Sequence, residues 1–344
     1  MSYTHTNSGI NPLFYNEENA AGLFSIDAEV GAALRFENAL AKAQSYLGII
    51  PKDHAAKISA GLEMITIDRE NLLDCIKTDG IFVPAFVKQV RSQLPEVLRN
   101  SFHNGVTSQD VIDTSLMLRM KANTKETCVE LSQLLRKIET LKATIGSREI
   151  PARTRMQSAL PFHMADRIDN WSEPIASLVT DAPEHFPIQL GGPIGMMHKQ
   201  QEEWQKLVEL LAEELSLSAI SEPWHTNRHT IIKQCTWHSS VTTALGKIGN
   251  DIALMAQNGI DEIALRFGGS SSAMPHKNNP VLAEILIAAA RYGAAQMGLL
   301  HSAAVHEQER SGTSWTLEFA TVPQIALTTR SSIANASRLI EQLL

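Results

Sequence analysis

Residues 106–145, VTSQDVIDTSLMLRMKANTKETCVELSQLLRKIETLKATI, contain neither glycine nor proline. Within them Leu131, Leu134, Leu135, Ile138, Leu141 and Ile145 recur at steps of three and four. That spacing lines one face of an α-helix. Such a helix would reach about 60 Å, and Thr107 or Ser108 can cap its start. Three more long helical patterns follow. One runs from about His225 to Leu265. One begins at Pro280, where Asn279 and Pro280 make a cap followed by a first-turn proline. The last runs from about Thr313 to Leu344. Helices of this length cannot bury their apolar stripes within one small globule and need long partners. The expected fold is therefore all-α, a long central helical bundle whose copies assemble with one another.

Upstream, the pattern shortens. Breaks at Pro51, Gly61, Gly80, Pro84 and Pro95 predict brief helices, read as a smaller N-terminal helical domain over residues 1–104. The bundle domain takes residues 105–344, with the boundary at Asn104 and Gly105. Strand signals are scarce: aromatic residues make up 6% of the chain and period-two alternation is rare.

Composition narrows the function. The 344 residues are 44% hydrophobic and 19% charged, ordinary values for a protein with a real core. The net charge of −7 argues against nucleic acid as a partner. The start Met-Ser-Tyr-Thr-His has no basic run followed by an apolar one, so no signal peptide is expected. Ile285 to Val305 is apolar but carries Arg291, Gln296 and His301, which favours a bundle helix over a membrane span. The three cysteines, Cys75, Cys128 and Cys235, are far apart and read as free thiols in a reducing, cytoplasmic compartment. His5, His54, His185 and His238 have no chemical context and read as surface or satisfied core residues. No His/Asp/Glu cluster has metal spacing, so no metal is expected.

The segment with chemical content is Phe267-Gly-Gly-Ser-Ser-Ser-Ala-Met-Pro-His-Lys-Asn-Asn-Pro280. Two glycines and three serines in a row make a loop rich in N–H and hydroxyl donors. It leads into a helix start, whose free N–H groups and dipole favour anions. Lys277 adds a full positive charge. The combination suits a bound carboxylate and the negative charge that develops on it. A plain linker before a capped helix has the same glycines and serines but no need of Met274, Lys277 and Asn279.

This segment resembles the signature of the fumarase/aspartase superfamily, G-S-S-x-M-P-x-K-x-N. Ser271, Ser272, Met274, Pro275, Lys277 and Asn279 match it, and Ser270 replaces the usual glycine. Two further segments are similar to the family's other shared regions. One is His103 to Asp110, continuing to Thr114, with Thr107 and Ser108 as short hydroxyls at a helix start that can also simply cap it. The other is Ala152 to Pro161, where Arg153, Thr154, Gln157 and Ala159 match but Arg155 replaces a histidine. A guanidinium stays protonated and cannot act as the base that this histidine supplies in many relatives.

That replacement, with Pro223-Trp-His-Thr-Asn-Arg228 and His306-Glu-Gln-Glu-Arg310 followed by Trp315, resembles the 3-carboxy-cis,cis-muconate cycloisomerase branch. The resemblance implies a homotetramer, no cofactor, a small polycarboxylate substrate from aromatic-acid breakdown, and sites shared between subunits. It implies Ser271 and Lys277 as the catalytic pair. Thr107, Ser108, Arg153, Thr154, Gln157, His225, Arg228, Ser272, Met274 and Asn279 would hold substrate, with His103, Arg155 and Arg310 nearby. His225 and Arg228, three apart, are expected on one helix face. Most relatives carry a further C-terminal helical domain, expected to be absent here. Three alternatives stay open: a sulfonate in place of the 3-carboxylate, a fumarate-releasing lyase of the adenylosuccinate type, and a structural protein on the same scaffold. The lyase would be expected to keep the histidine that Arg155 replaces.

Overall fold

The computed structural model describes Phe14 and residues 22–200, 202–274 and 276–343. His5 and Pro275 lie outside the described residues. Four short helices come first: α1 (Ile26–Tyr46), α2 (His54–Glu63), α3 (Arg69–Asp79) and α4 (Val83–Gln93). Pro84 sits in the first turn of α4, where its missing N–H costs nothing. Gly61 does not break a helix as the sequence suggested; it lies inside α2, packed so closely that an added Cβ would meet Leu94 Cδ2 at 2.5 Å.

The long helix α5 spans Ser108–Ile145, 38 residues, or about 57 Å. Thr107 is its N-cap, and the Thr107 N–H donates to Asp110 Oδ2 at 2.9 Å. A feature absent from the sequence reading follows. Strands β1 (Glu149–Thr154) and β2 (Gln157–His163) form an antiparallel hairpin around Arg155 and Met156, both at positive φ. Next come α6 (Met164–Thr180), a helical turn at Met197–Gln200 and α7 (Trp204–Leu215). The bundle is completed by α8 (His229–Met255), α9 (Val281–Ala303) and α10 (Gly312–Glu341). The helix expected from His225 starts at His229, so His225 and Arg228 belong to the turn before it and not to a helix face.

Side-chain contacts fix the directions. Arg228, just before α8, meets Asp113 near the start of α5. Arg153 pairs with Glu262, just beyond the end of α8. Helices α5 and α8 therefore run the same way. Helix α9 runs back along α8: a Cβ on Gly249 would meet Ala283 O at 2.6 Å, and one on Gly293 would meet Thr242 Oγ1 at 2.9 Å. Helix α10 returns, with Glu318 at Arg228 and Glu341 at Lys137, 2.6 Å apart.

Two apolar clusters hold these elements. One joins α1 and α4 to the first half of α5, to α7 and to α10 through Phe36, Phe86, Met117, Leu211 and Ile325. The other fills the far half of the bundle with Leu131, Leu134, Ile138 and Leu141, together with Trp171, Leu245 and Leu339. Burying such side chains stabilises by about 1.5–3 kcal/mol each. The periodic stripe read from the sequence is thus the far-end core, except that Leu135 and Ile145 are only partly buried.

Candidate active site

The residues singled out by sequence gather at opposite ends of the bundle. At the near end, where α5 begins, stand Thr107, Ser108, His225, Arg228 and Arg310. The turn at Gly191–Gly195 closes over them.

Asp110 organises this end. Its carboxylate accepts the N–H of Gly191 at 2.7 Å, of Gly192 at 3.0 Å and of Thr107 at 2.9 Å. It also meets His225 Nε2 at 2.9 Å. An acceptor already holding three amide protons leaves Nε2 to donate, which fixes the imidazole's orientation. His225 is 4% exposed. Its Nδ1 has no hydrogen-bond partner among the described residues.

Arg228 is buried, and its donors are engaged. It binds Asp113 through both terminal nitrogens at 2.7 and 2.9 Å. It binds Glu318 through Nε at 2.8 Å and Nη2 at 2.6 Å, and reaches His225 O at 3.4 Å. A guanidinium has five N–H donors, so none is left for a substrate carboxylate. The expected carboxylate grip by Arg228 is therefore corrected to a scaffold role. Burial alone would raise the Asp113 pKa, but the charge and hydrogen bonds of Arg228 outweigh it and hold the carboxyl below its ordinary value. The His306 ring lies against Glu318, Nε2 to Oε1 at 3.5 Å. Arg310 binds Gln109 Oε1 at 3.0 Å and Pro193 O at 3.1 Å, which ties it to the glycine turn. His103, at φ 55°, meets Glu37 at 2.6 Å through Nδ1.

At the far end lie the serine loop and the hairpin. Gly269 and Asn279 pair through two backbone bonds, at 2.8 and 3.0 Å, pinching the loop at its base. A Cβ on Gly268 would strike the Asn278 side chain and come within 2.6 Å of Asn279 O, so only glycine fits there. Asn278 Nδ2 ties the loop to Leu265 O at 2.7 Å. Ser271 Oγ accepts the Met274 N–H at 3.2 Å. Ser272, Met274 and Lys277 are exposed, and Asn279 is half-buried. On the hairpin, Arg153 is held by Glu262, while Thr154, Arg155 and Gln157 are exposed around the tip.

The two ends do not meet within one chain. Helix α9 alone, 23 residues starting just after the serine loop, separates them by about 35 Å. Asp110, Asp113, Glu318 and Glu262 organise the two ends, yet their partners lie up to 115 residues away in sequence, and no local pattern marks them. Among the described residues, no group of three or more His, Cys, Asp or Glu could hold a metal ion.

Residues 12–292 match a family model described as Lyase. The chain belongs to this lyase family. Within the family it is similar to the 3-carboxy-cis,cis-muconate cycloisomerase of Bradyrhizobium diazoefficiens, at 30% identity over 311 residues, which is 88% of this chain and 69% of that one. The cycloisomerase of Pseudomonas putida is 30% identical over 330 residues, 93% of this chain and 78% of that relative. Among solved structures, the β-carboxy-cis,cis-muconate cycloisomerase of Acinetobacter calcoaceticus superposes with a TM-score of 0.88 at 26% identity. That match covers 97% of this chain and 77% of the other. The lyase family is the superfamily that the serine loop resembled, and the cycloisomerase branch is the one that Arg155 favoured. The helical bundle is likewise the expected fold.

Proposed function

We propose that this lyase-family chain closes the lactone ring of 3-carboxy-cis,cis-muconate in aromatic-acid catabolism. The observation that carries the reading is its match, over most of its length, to relatives that bear that activity in their names. The chemistry of the two ends supports it. One substrate carboxylate attacks an alkene carbon of the same molecule, and a proton joins the carbon beside another carboxylate. Nucleophile and electrophile are already linked, so the enzyme mainly selects the reactive conformer, which can contribute up to about 7–11 kcal/mol in ideal cases. The remainder comes from donors aimed at the developing anion.

In this reading Ser271 hands the proton to carbon. Lys277, the helix start at Val281 and the loop N–H groups stabilise the charge. Ser272, Met274, Asn279, Thr154, Gln157 and Arg155 contact the substrate from the far end. Thr107, Ser108, His225 and Arg310 face it from the near end. Because the ends are a bundle-length apart, a complete site takes its near end from one copy and its far end from another. A homotetramer satisfies this. Helix α9 presents Ala288, Arg291, Ala295, Gly298 and Leu299 to solvent, a mostly small-residue face with one charge that leaves room for close packing by another helix. No helix among the described residues is long and apolar enough to cross a membrane, in keeping with a proposed cytoplasmic location.

The test is direct: 3-carboxy-cis,cis-muconate is added and the diene absorbance followed. Loss of the diene with formation of the lactone is expected. An unchanged diene, together with fumarate release from adenylosuccinate, would replace this reading with the lyase one.

A further inference from the structure

We propose that Glu37, buried on α1, is a positioning residue that aims His103 at a substrate carboxylate. The proposal rests on the cycloisomerase reading and adds to it an anion contact at the near end. A substrate with three carboxylates needs donors on both sides of the site. The donors of Arg228 are taken by Asp113 and Glu318, and Arg310 is tied to Gln109 and Pro193.

Glu37 does not serve the fold well. It is 1% exposed, and its Oε2 has no hydrogen-bond partner among the described residues. An unanswered carboxylate oxygen in a dry interior is unfavourable. Its other oxygen meets His103 Nδ1 at 2.6 Å. An ionised carboxylate only accepts, so Nδ1 donates and Nε2 becomes the free end of the ring. Nε2 is neither engaged nor sealed: it makes no hydrogen bond among the described residues, and the side chain is 14% exposed. The His103 backbone is unfavourable as well. It stands at φ 55°, where non-glycine residues are uncommon. Side chains pin it there from both sides. Arg91 Nη2 donates to Phe102 O at 2.9 Å, and Gln44 Nε2 donates to Asn104 O at 2.8 Å. Two local costs meet at one imidazole, and three side chains of the N-terminal helices hold it in place. Such concentrated strain belongs to binding sites more than to scaffolding.

The pair also lies in the right place. Arg119 on α5 meets Glu29 on α1, and Asn104, just before α5, meets Gln44. Helix α1 therefore runs antiparallel to the start of α5, with Glu37 midway between those contacts. To reach Glu37, His103 sends its ring back alongside the first turns of α5, where Thr107 and Ser108 stand. The same strap touches the glycine turn: a Cβ on Gly192 would come within 3.3 Å of Gly105 O. In the complex the imidazole carries a proton on each nitrogen and bridges Glu37 and a substrate carboxylate.

Three variants test this on 3-carboxy-cis,cis-muconate. Glu37→Met fills the same space without charge, so the melting temperature is expected to hold or rise while KM increases about tenfold or more. Its kcat should stay within about threefold of wild type. Glu37→Gln keeps an oxygen that accepts the Nδ1 hydrogen, and its KM is expected within about threefold of wild type. His103→Asn keeps a residue type that tolerates positive φ but loses the ring. It should match Glu37→Met in KM, and combining the two should add nothing. A KM within about threefold of wild type in Glu37→Met or His103→Asn overturns the proposal. So does a lowered melting temperature with kcat and KM failing together and no rescue by Glu37→Gln, which makes the pair structural. An inactive wild type removes the cycloisomerase reading and this proposal together; an active wild type with unaffected variants removes the proposal alone.

Discussion

The two ends of the bundle are built on opposite principles. At the near end the central charges are buried and answered: Arg228 lies between Asp113 and Glu318, and Asp110 gathers three amides and an imidazole. At the far end Lys277, Arg155 and Gln157 stand in solvent, and the serine loop is pinched at its base. The difference separates two duties. The near end is preorganised by folding, because unpaired charges in a dry interior are costly. In the proposed reading the far end stays free to close on substrate once another copy supplies the rest of the pocket.

Substitutions at the two ends should therefore fail differently. The largest effect is expected from Ser271→Ala, whose side chain makes one weak contact in the free loop. Turnover should fall by about 10²–10⁴-fold, with circular dichroism and assembly unchanged; near-normal turnover would remove Ser271 from the chemistry. Gly268→Ala sharpens the point. Its methyl must displace Asn278 and the Asn279 carbonyl, so activity should drop at least tenfold while the melting temperature of the bundle barely moves. Arg228→Met reverses the pattern. It strands Asp113 and Glu318 in the interior and should cost about 3–5 kcal/mol of stability in denaturant titrations. A loss below about 1 kcal/mol would mean that the network is not structural.

The smallest effect concerns His238, buried in the bundle beside Trp237, Asn123 and Thr329. Burial, aided by the charge of Arg330, lowers its pKa from 6.5 to about 3. Between those values the unfolded chain binds a proton that the folded chain refuses. This residue's contribution is therefore complete above pH 6.5 and shrinks as pH falls toward 3, by up to about 1.4 kcal/mol per pH unit. His238→Gln should flatten the stability profile in that window, as measured by urea titration at pH 7, 6 and 5. The depressed Asp113 carboxyl acts with the same sign but lower, losing its contribution as pH falls below its ordinary 3.8.

The contrast also explains what a single sequence can reveal. The long helices are legible because Leu131, Leu134, Ile138 and Leu141 repeat at helical spacing and are buried where that spacing puts them. The serine loop is legible because its chemistry is local: hydroxyls, a lysine and a helix start within a dozen residues. The hairpin is not. Its strands carry Pro151 and Pro161, face solvent along β2, and turn through Arg155 and Met156 at positive φ without a glycine. The near-end network is hidden for another reason. Arg228 meets Asp113 and Glu318 across 115 and 90 residues, a pairing that only the packed bundle creates. Hence the apparent fitness of Arg228 for a substrate, which its engaged donors contradict.

The central claim is that a working site joins the near end of one copy to the far end of another. Ser271→Ala at the far end and His225→Gln at the near end, each expected to lose turnover because the proposed site draws on both ends, can be unfolded together and refolded as a mixture. Random assembly should pair intact ends in roughly a quarter of the sites, restoring about that share of wild-type turnover. A mixture as inactive as its two components would contradict the claim and confine each site to a single chain.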